Sequence, residues 1–110
     1  MAVFTEITIE QGATFTEKVN VLDVYNNPVN LTGYTPSSMM RKSYYSSTYY
    51  VIESAVTGNS NGEITLTITS SNTALLSPGR YVYDLIIADG ANTVIRVVEG
   101  IATVLPSVTR

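Results

Sequence analysis

The side chains that most often carry out catalysis are missing from this sequence. Its 110 residues include no histidine and no cysteine, which removes the commonest general base, the commonest metal ligands and the thiolate nucleophile. A Ser-His-Asp or Cys-His arrangement is therefore excluded within the chain. Carboxylates remain, but no Asp-x-Asp spacing of a calcium loop occurs, and no carboxylate pair is assigned to a cleft. We expect a protein that is not an enzyme and has no cofactor or metal site.

The charged side chains that do remain favour a structural role. Asp84 alternates with the apolar-face residues Tyr83 and Leu85, which places its carboxylate on the outer face of a predicted strand. Arg96 follows on the next strand, and Arg41 lies on an earlier one. A cross-strand ion pair between Asp84 and these arginines is the expected arrangement, contributing roughly 0.2–1 kcal/mol if it is exposed.

A tyrosine cluster is the second candidate site. Tyr44, Tyr45, Tyr49 and Tyr50 flank a Ser-Ser-Thr centre. On a hairpin alternate side chains point to opposite faces, so about two of these rings must point out of the core. Tyr and Ser are the residues that adaptable binding surfaces use. The alternative is that tyrosine is simply a good strand former. For the cluster as a whole we favour a contact surface for a protein or a sugar.

The elements that must position these residues are β-strands. Apolar and polar residues alternate most clearly over residues 63–69, and period-two patterning recurs along the chain. The predicted strands cover residues 4–9, 14–22, 39–45, 49–56, 63–69, 80–88 and 93–105. One helical turn is expected within residues 71–76, a turn at residues 58–62, and a bulge or crossing point at Gly100. Seven strands predict an antiparallel sandwich or barrel in a single domain of residues 1–110.

One local motif decides between these two architectures. Pro78 and Gly79 permit a sharp turn between the fifth and sixth strands, and Tyr81 follows at once. Immunoglobulin-like domains carry a tyrosine here whose hydroxyl bonds to backbone just upstream. Leu76 is expected to pack beneath this tyrosine corner. The alternative is an ordinary Pro-Gly turn with Tyr81 in the core. We therefore predict an all-β, immunoglobulin-like antiparallel sandwich of about seven strands.

Charge and hydropathy limit the partners. Charged residues make up 14% of the chain and the net charge is −3, so we expect no nucleic-acid binding. No apolar run is long enough to span a membrane, and the first residues do not resemble a signal peptide, so no membrane association is expected. The low charge suits either a surface covered by neighbouring proteins or an ordinary Thr-rich β domain.

A series of sequence marks runs nearly the whole length of the chain. The marks are Ile-Glu-Gln-Gly-Ala-Thr-Phe at 9–15, Asn-Leu-Thr-Gly-Tyr at 30–34, Arg-Lys-Ser at 41–43, and the stretches at 62–66, 78–85, 96–100 and 106–110. In order and spacing they resemble a family of small bacteriophage virion proteins. They are also similar to the N-terminal domain of the baseplate upper protein of phages that infect lactic bacteria.

The resemblance implies a role in a virion. It implies a structural protein made in the host cytoplasm that binds other virion proteins and itself, in many symmetric copies. Contacts are expected through sheet edges and the tyrosine cluster, with the first strand and the tail from Pro106 as the exchanging elements. No receptor-binding extension follows Arg110, so a decoration, neck or baseplate accessory protein is favoured over a baseplate scaffold. The second hypothesis is a carbohydrate-binding module that adheres to host glycan through the tyrosine cluster.

Overall fold

The structure is a computed structural model that describes residues 3–23, 25–58 and 60–108. The remaining residues of the predicted domain 1–110 lie outside this description. They are the first two residues, Val24 in a predicted connection, Asn59 in the predicted turn, and Thr109 and Arg110 at the end of the last sequence mark.

The described chain is built almost entirely of strands. The elements in order are β1 Val3–Phe4, β2 Ile7–Glu10, β3 Phe15–Asn20, β4 Thr35–Arg41, β5 Tyr49–Gly58, β6 Glu63–Ile68, α1 Ser70–Thr73, β7 Gly79–Ala88 and β8 Val94–Leu105. The all-β class is confirmed, and five of the seven predicted strands are found with ends that differ by a few residues. The helical turn begins one residue earlier than predicted, and Thr69 precedes it without a side-chain cap.

The strands form one sheet that curls into a half-barrel, an arrangement consistent with a β-sandwich. Their order is β1-β8-β7-β4-β5-β6-β3, and β2 also pairs with β8. β1 and β2, which together correspond to the predicted first strand, both run parallel to β8. The other strand pairs are antiparallel. β5 joins the two halves because it pairs with β4 from Tyr49 to Ile52 and with β6 from Glu53 onward.

The core lies on the concave side of this curl. Alternate residues of β6 and β7 are buried, as period-two patterning requires. The most buried large apolar side chains come from β2, from β4 to β8 and from the connection before β4: Ile9, Leu31, Met40, Ile52, Ile64, Leu66, Tyr81, Leu85, Ile87 and Val104. The outward threonines of β6 are half-buried. The half-barrel therefore has one apolar interior and one polar outer surface.

The first strand is broken where it crosses Gly100. The Thr5 N–H donates to the Glu99 carbonyl at 2.9 Å, and the Thr5 carbonyl accepts a hydrogen bond of 2.7 Å from the Tyr83 hydroxyl. A Cβ on Gly100 would overlap that carbonyl. The predicted single strand over 4–9 is thus two short strands, and Gly100 marks a close backbone approach. The register shift in β8 lies elsewhere, opposite Leu85 and Ile86.

The third predicted strand was placed too late in the chain. It runs from Thr35 to Arg41 rather than over 39–45, and it contains Pro36. Proline argues against a central strand because it has no N–H to donate. Here β5 pairs with β4 only from Ser38 onward, so near Pro36 the strand has β7 alone as a neighbour. That setting tolerates proline. Residues 42–48 consequently form a loop.

We predict that Gly100→Ala destabilises the fold by about 1–3 kcal/mol, because the added methyl group forces the Thr5 carbonyl away from β8. Urea unfolding followed by circular dichroism measures the change. Gly90→Ala is the matched control, since a Cβ at Gly90 meets nothing within 4 Å. Equal effects of the two substitutions would contradict the packing argument.

Candidate functional site

The corner before β7 is held by Tyr81. Its hydroxyl donates to the Ser77 carbonyl at 2.8 Å, four residues upstream across the turn that holds Pro78. Gly79 adopts φ +139°, a conformation that L side chains rarely take. Leu76 is buried. Leu76 and Tyr81 thus belong to one buried cluster, and the Tyr81 hydrogen bond spans the turn that contains Pro78 and Gly79 at the start of β7.

Tyr81 also carries aromatic and cationic neighbours. The ring of Tyr50 meets it edge-on at 5.9 Å between centroids, and the Lys42 ammonium lies 4.5 Å from its centroid. Burial is the main cause that raises the pKa of Tyr81, and the charge on Tyr50 adds to it. The Tyr50 ring therefore packs against the corner. Of the four tyrosines in the predicted cluster, three have exposed rings and one is packed.

A second set of hydrogen bonds fastens the corner to the turn after β2. The Gln11 side-chain amide donates to the Leu76 carbonyl at 2.9 Å. The Thr73 hydroxyl donates to the Ala13 carbonyl at 2.8 Å and accepts from the Gly12 N–H. Thr73 is fully buried, and these bonds satisfy its hydroxyl. Three hydrogen bonds therefore tie the segment before the corner to the turn after β2.

Arg41 shapes the loop that carries the tyrosines. Its guanidinium donates to the Ser46 carbonyl at 2.6 Å and lies 5.1 Å from the centroid of the Tyr49 ring. These contacts occupy Arg41. The expectation that it joins an ion pair with Asp84 is corrected: between described residues the ion pair is Arg96 with Asp84, at 3.4 Å. A carbonyl within the loop gave Arg41 a nearer acceptor.

Three tyrosines in this loop or directly after it are strongly exposed. Tyr45 is 97% exposed, Tyr44 70% and Tyr49 49%. The sequence placed Tyr44 and Tyr45 on a strand, where one of them would point inward. They lie instead in the loop over 42–48, because β4 ends at Arg41. More aromatic surface is therefore free than alternation on a strand predicts.

A shallow cleft of about 300 Å³ lies beside Tyr44 on the outer face of β4, β7 and β8. Its charged side chains are Arg41, Asp84, Arg96 and Glu99. Asp84 and Glu99 stand directly opposite each other in the β7–β8 register, a like-charge pairing that costs stability. Arg96 offsets it by binding Asp84. The cleft can donate and accept several hydrogen bonds beside an aromatic ring.

Sequence reasoning missed Glu99 as part of this group. The pairing of Asp84 with Glu99 depends on the β7–β8 register, which shifts at Leu85 and Ile86. If the two strands are paired residue by residue from the turn at 89–92 and the shift is ignored, a residue other than Glu99 falls opposite Asp84. The bulge itself carries no glycine or proline, so no signal in the sequence located it.

Metal-binding and membrane-spanning features were also sought among the described residues. No group of three or more Asp and Glu side chains there is arranged to hold a metal ion. No helix in the described ranges is long and apolar enough to cross a membrane.

Tyr83 is the most perturbed titratable group of the interior. It is buried, and its hydroxyl donates to the Thr5 carbonyl. Burial, with a smaller contribution from the negative charge of Glu17, raises the pKa of Tyr83 to about 12. Glu17 lies on β3, at the far edge of the curl. The two ends of the curled sheet thus approach each other around this hydroxyl.

Comparison with known proteins gives a fold relationship and no family. No protein-family description matches the chain, and no curated protein matches it in sequence. Among solved structures the chain is similar to the N-terminal domain of phage TP901-1 ORF48, with 13% identity and a TM-score of 0.55. The match covers 91% of this chain and 84% of that domain. The chain therefore shares its fold with a domain of a phage protein.

Two further solved structures are less similar. An internalin-like protein of Listeria monocytogenes is 20% identical with a TM-score of 0.47, and the match covers 91% of this chain and 27% of that one. A family 123 glycoside hydrolase from Clostridium perfringens is 11% identical with a TM-score of 0.45, covering 97% of this chain and 24% of that one.

We predict that one tyrosine ionises at a pH of about 12, visible as a late component in the ultraviolet absorbance of phenolate. Because the folded pKa lies above the unfolded value of 10.0, the unfolded chain loses this proton first as the pH rises. The stability due to Tyr83 is full below the unfolded value and is lost as the pH rises toward the folded one.

Tyr83→Phe serves as the control for this titration. The variant should lack the late component and should also lose the alkaline fall in stability that it causes. Persistence of both in the variant would show that another group is responsible.

Proposed function

We propose that this chain is a non-enzymatic structural protein of a phage virion, with an immunoglobulin-like fold. It attaches to capsid, neck, or tail and baseplate proteins through sheet edges and its tyrosine-rich surface. The observation that carries the proposal is the shared fold with a phage domain over 91% of this chain. The sequence marks that resemble virion proteins support it independently of the fold.

The immunoglobulin-like assignment is supported by strand order and by the corner. The first strand pairs with β8, the sheet continues through β7 and β4, and β5 passes to β6 and β3. Tyr81 donates to a carbonyl four residues upstream at the start of β7, as the tyrosine corner of such domains does.

The surface is suited to contact with protein neighbours. Tyr44 and Tyr45 present exposed rings on a loop that Arg41 braces, so little conformational entropy is lost when a partner covers them. Tyrosine is enriched at the energetic centres of interfaces. Several weak contacts of this kind, repeated in symmetric copies, give a strong attachment through multivalency.

We expect mass spectrometry of particles purified by density gradient to find this chain in several copies per virion. The control is a host cytoplasmic protein that is abundant in the lysate and is lost in the gradient. A chain that is plentiful in the lysate but absent from the particles would refute the virion role.

The cleft beside Tyr44 supports a second candidate function, the binding of host glycan. An exposed ring can stack on a sugar, and the guanidinium and carboxylate groups of the cleft can bond its hydroxyls. The cleft is small enough to suit one or two sugar rings.

A glycan array probed with the purified chain tests this candidate. We expect any binding to fall at least roughly fivefold in Tyr44→Ala, because stacking contributes on the order of 1 kcal/mol or more. Tyr25→Ala is the matched control, since Tyr25 is 80% exposed and outside the cleft. An array with no binding would exclude the glycan function and leave the virion role standing.

A further inference from the structure

The half-barrel is open on one side. A groove of about 780 Å³ runs between β3 and the first strand, which are the two ends of the curled sheet. Its floor includes the core side chains of Leu66, Ile87 and Val98, and Val3 stands on the rim with 62% of its surface exposed. The groove therefore runs over the buried apolar core, with a strand on either side.

The backbone of β3 faces this opening with unused hydrogen-bonding groups. The Val21 N–H donates to the Gly62 carbonyl at 2.8 Å, and the β3–β6 register continues that pairing through Val19, which stands opposite Ile64. In an antiparallel ladder, residues that bond to the partner strand alternate with residues that do not. The β3 residues that alternate with Val19 and Val21 therefore turn their N–H and C=O groups away from β6. Those residues are Thr16, Lys18 and Asn20, all of them exposed.

β3 has β6 as its only strand neighbour in the described chain. The sequence pointed instead to the first strand and the tail from Pro106 as exchanging elements. Both are anchored to the chain itself: β2 pairs with β8 over four residues, and the Ser107 N–H donates to the Gln11 side chain. Of the two ends of the sheet, β3 thus presents the longer open edge, the kind of edge that accepts an added strand.

The groove also has a charge that selects its occupant. Glu17 shares the inward face of β3 with Phe15 and Val19, yet it is exposed and lines the groove. Its negative charge reaches Tyr83 across the opening and raises the pKa of that hydroxyl. A strand laid beside β3 would turn its own inward side chains toward Glu17. A basic side chain at that position is electrostatically complementary.

A second copy of the chain is a poor occupant. If two β3 strands pair about a twofold axis, a register centred on Glu17 or on Lys18 sets like charges directly opposite each other, which is destabilising. Registers centred on Thr16 or on Val19, the residues that flank Glu17 and Lys18, set Glu17 opposite an apolar side chain. None of these supplies a cation to Glu17, so the charges of β3 disfavour self-pairing.

We propose that the groove binds an extended segment of a different protein, which adds to the free edge of β3 as an extra strand. Its inward side chains are apolar, except for one lysine or arginine that faces Glu17. The residues between them point to solvent beside Lys18. This proposal deepens the virion role, on which it rests for the identity of the partner as another virion protein.

Two synthetic nonapeptides test the proposal, each capped at both ends. Both carry Val at odd positions and Thr at even positions, and they differ only at the centre, which is Lys in one and Glu in the other. We expect the Lys peptide to bind about fivefold to tenfold more tightly than the Glu peptide. The Lys peptide gains an opposite-charge cross-strand contact with Glu17, whereas the Glu peptide meets a like charge there. Nuclear magnetic resonance titration of the whole chain measures both affinities.

Two variants make the test specific. Glu17→Lys should reverse the preference between the peptides, whereas Glu17→Gln should remove it. Lys18→Pro deletes an outward N–H of β3 and should weaken both peptides, with Lys18→Ala as the control that keeps the N–H. Bound peptide should also slow hydrogen exchange at the amides of Thr16, Lys18 and Asn20.

Three results would overturn the proposal. They are no binding of either peptide at millimolar concentration, equal binding of the two peptides, and protection of the β3 amides in the free protein by self-association. None of these results bears on whether the chain is present in purified particles, so the peptide test and the virion test can fail independently. Binding by a chain that is absent from virions would support the groove and refute the virion role.

Discussion

The carbonyl of Thr5 is the point on which the rest of the architecture depends. It accepts the Tyr83 hydroxyl and lies against Gly100, where no side chain is present to hold it away. The Thr5 N–H is bound in turn to the Glu99 carbonyl. These contacts bring the first strand onto β8 on both sides of its break. β8 occupies one edge of this strand, and its opposite edge faces β3 across the groove without pairing with it in the described chain.

The sheet therefore curls without closing in the described chain. With β1 and β2 at one end and β3 at the other, the two ends face each other across the groove. Tyr83 is central to both features, since its hydroxyl holds the first strand and its charge environment includes Glu17 on β3. Packing of the interior and access to the groove are therefore consequences of the same contact.

Much of this fold was predictable because strand periodicity is a local property. The alternation in β6 and β7 is visible in the sequence and matches the buried pattern, and Pro78 and Gly79 mark the corner at which Tyr81 bonds to Ser77. β4 was misplaced because Pro36 is acceptable only where β5 has diverged. Arg41 was misassigned because the Ser46 carbonyl comes within reach only once residues 42–48 form a loop. Tertiary pairing decides both cases.

The two candidate surfaces lie on opposite faces of β7, and this separation has a functional consequence. Alternate β7 side chains point inward, as Tyr83 does toward the groove, or outward, as Asp84 does into the cleft beside Tyr44. Occupancy of one surface does not sterically block the other, because the strand lies between them. Both rest on the same rigid strands, so neither needs a large rearrangement to bind. Under the proposed virion role, two such faces would let one small domain join two neighbours in an assembly.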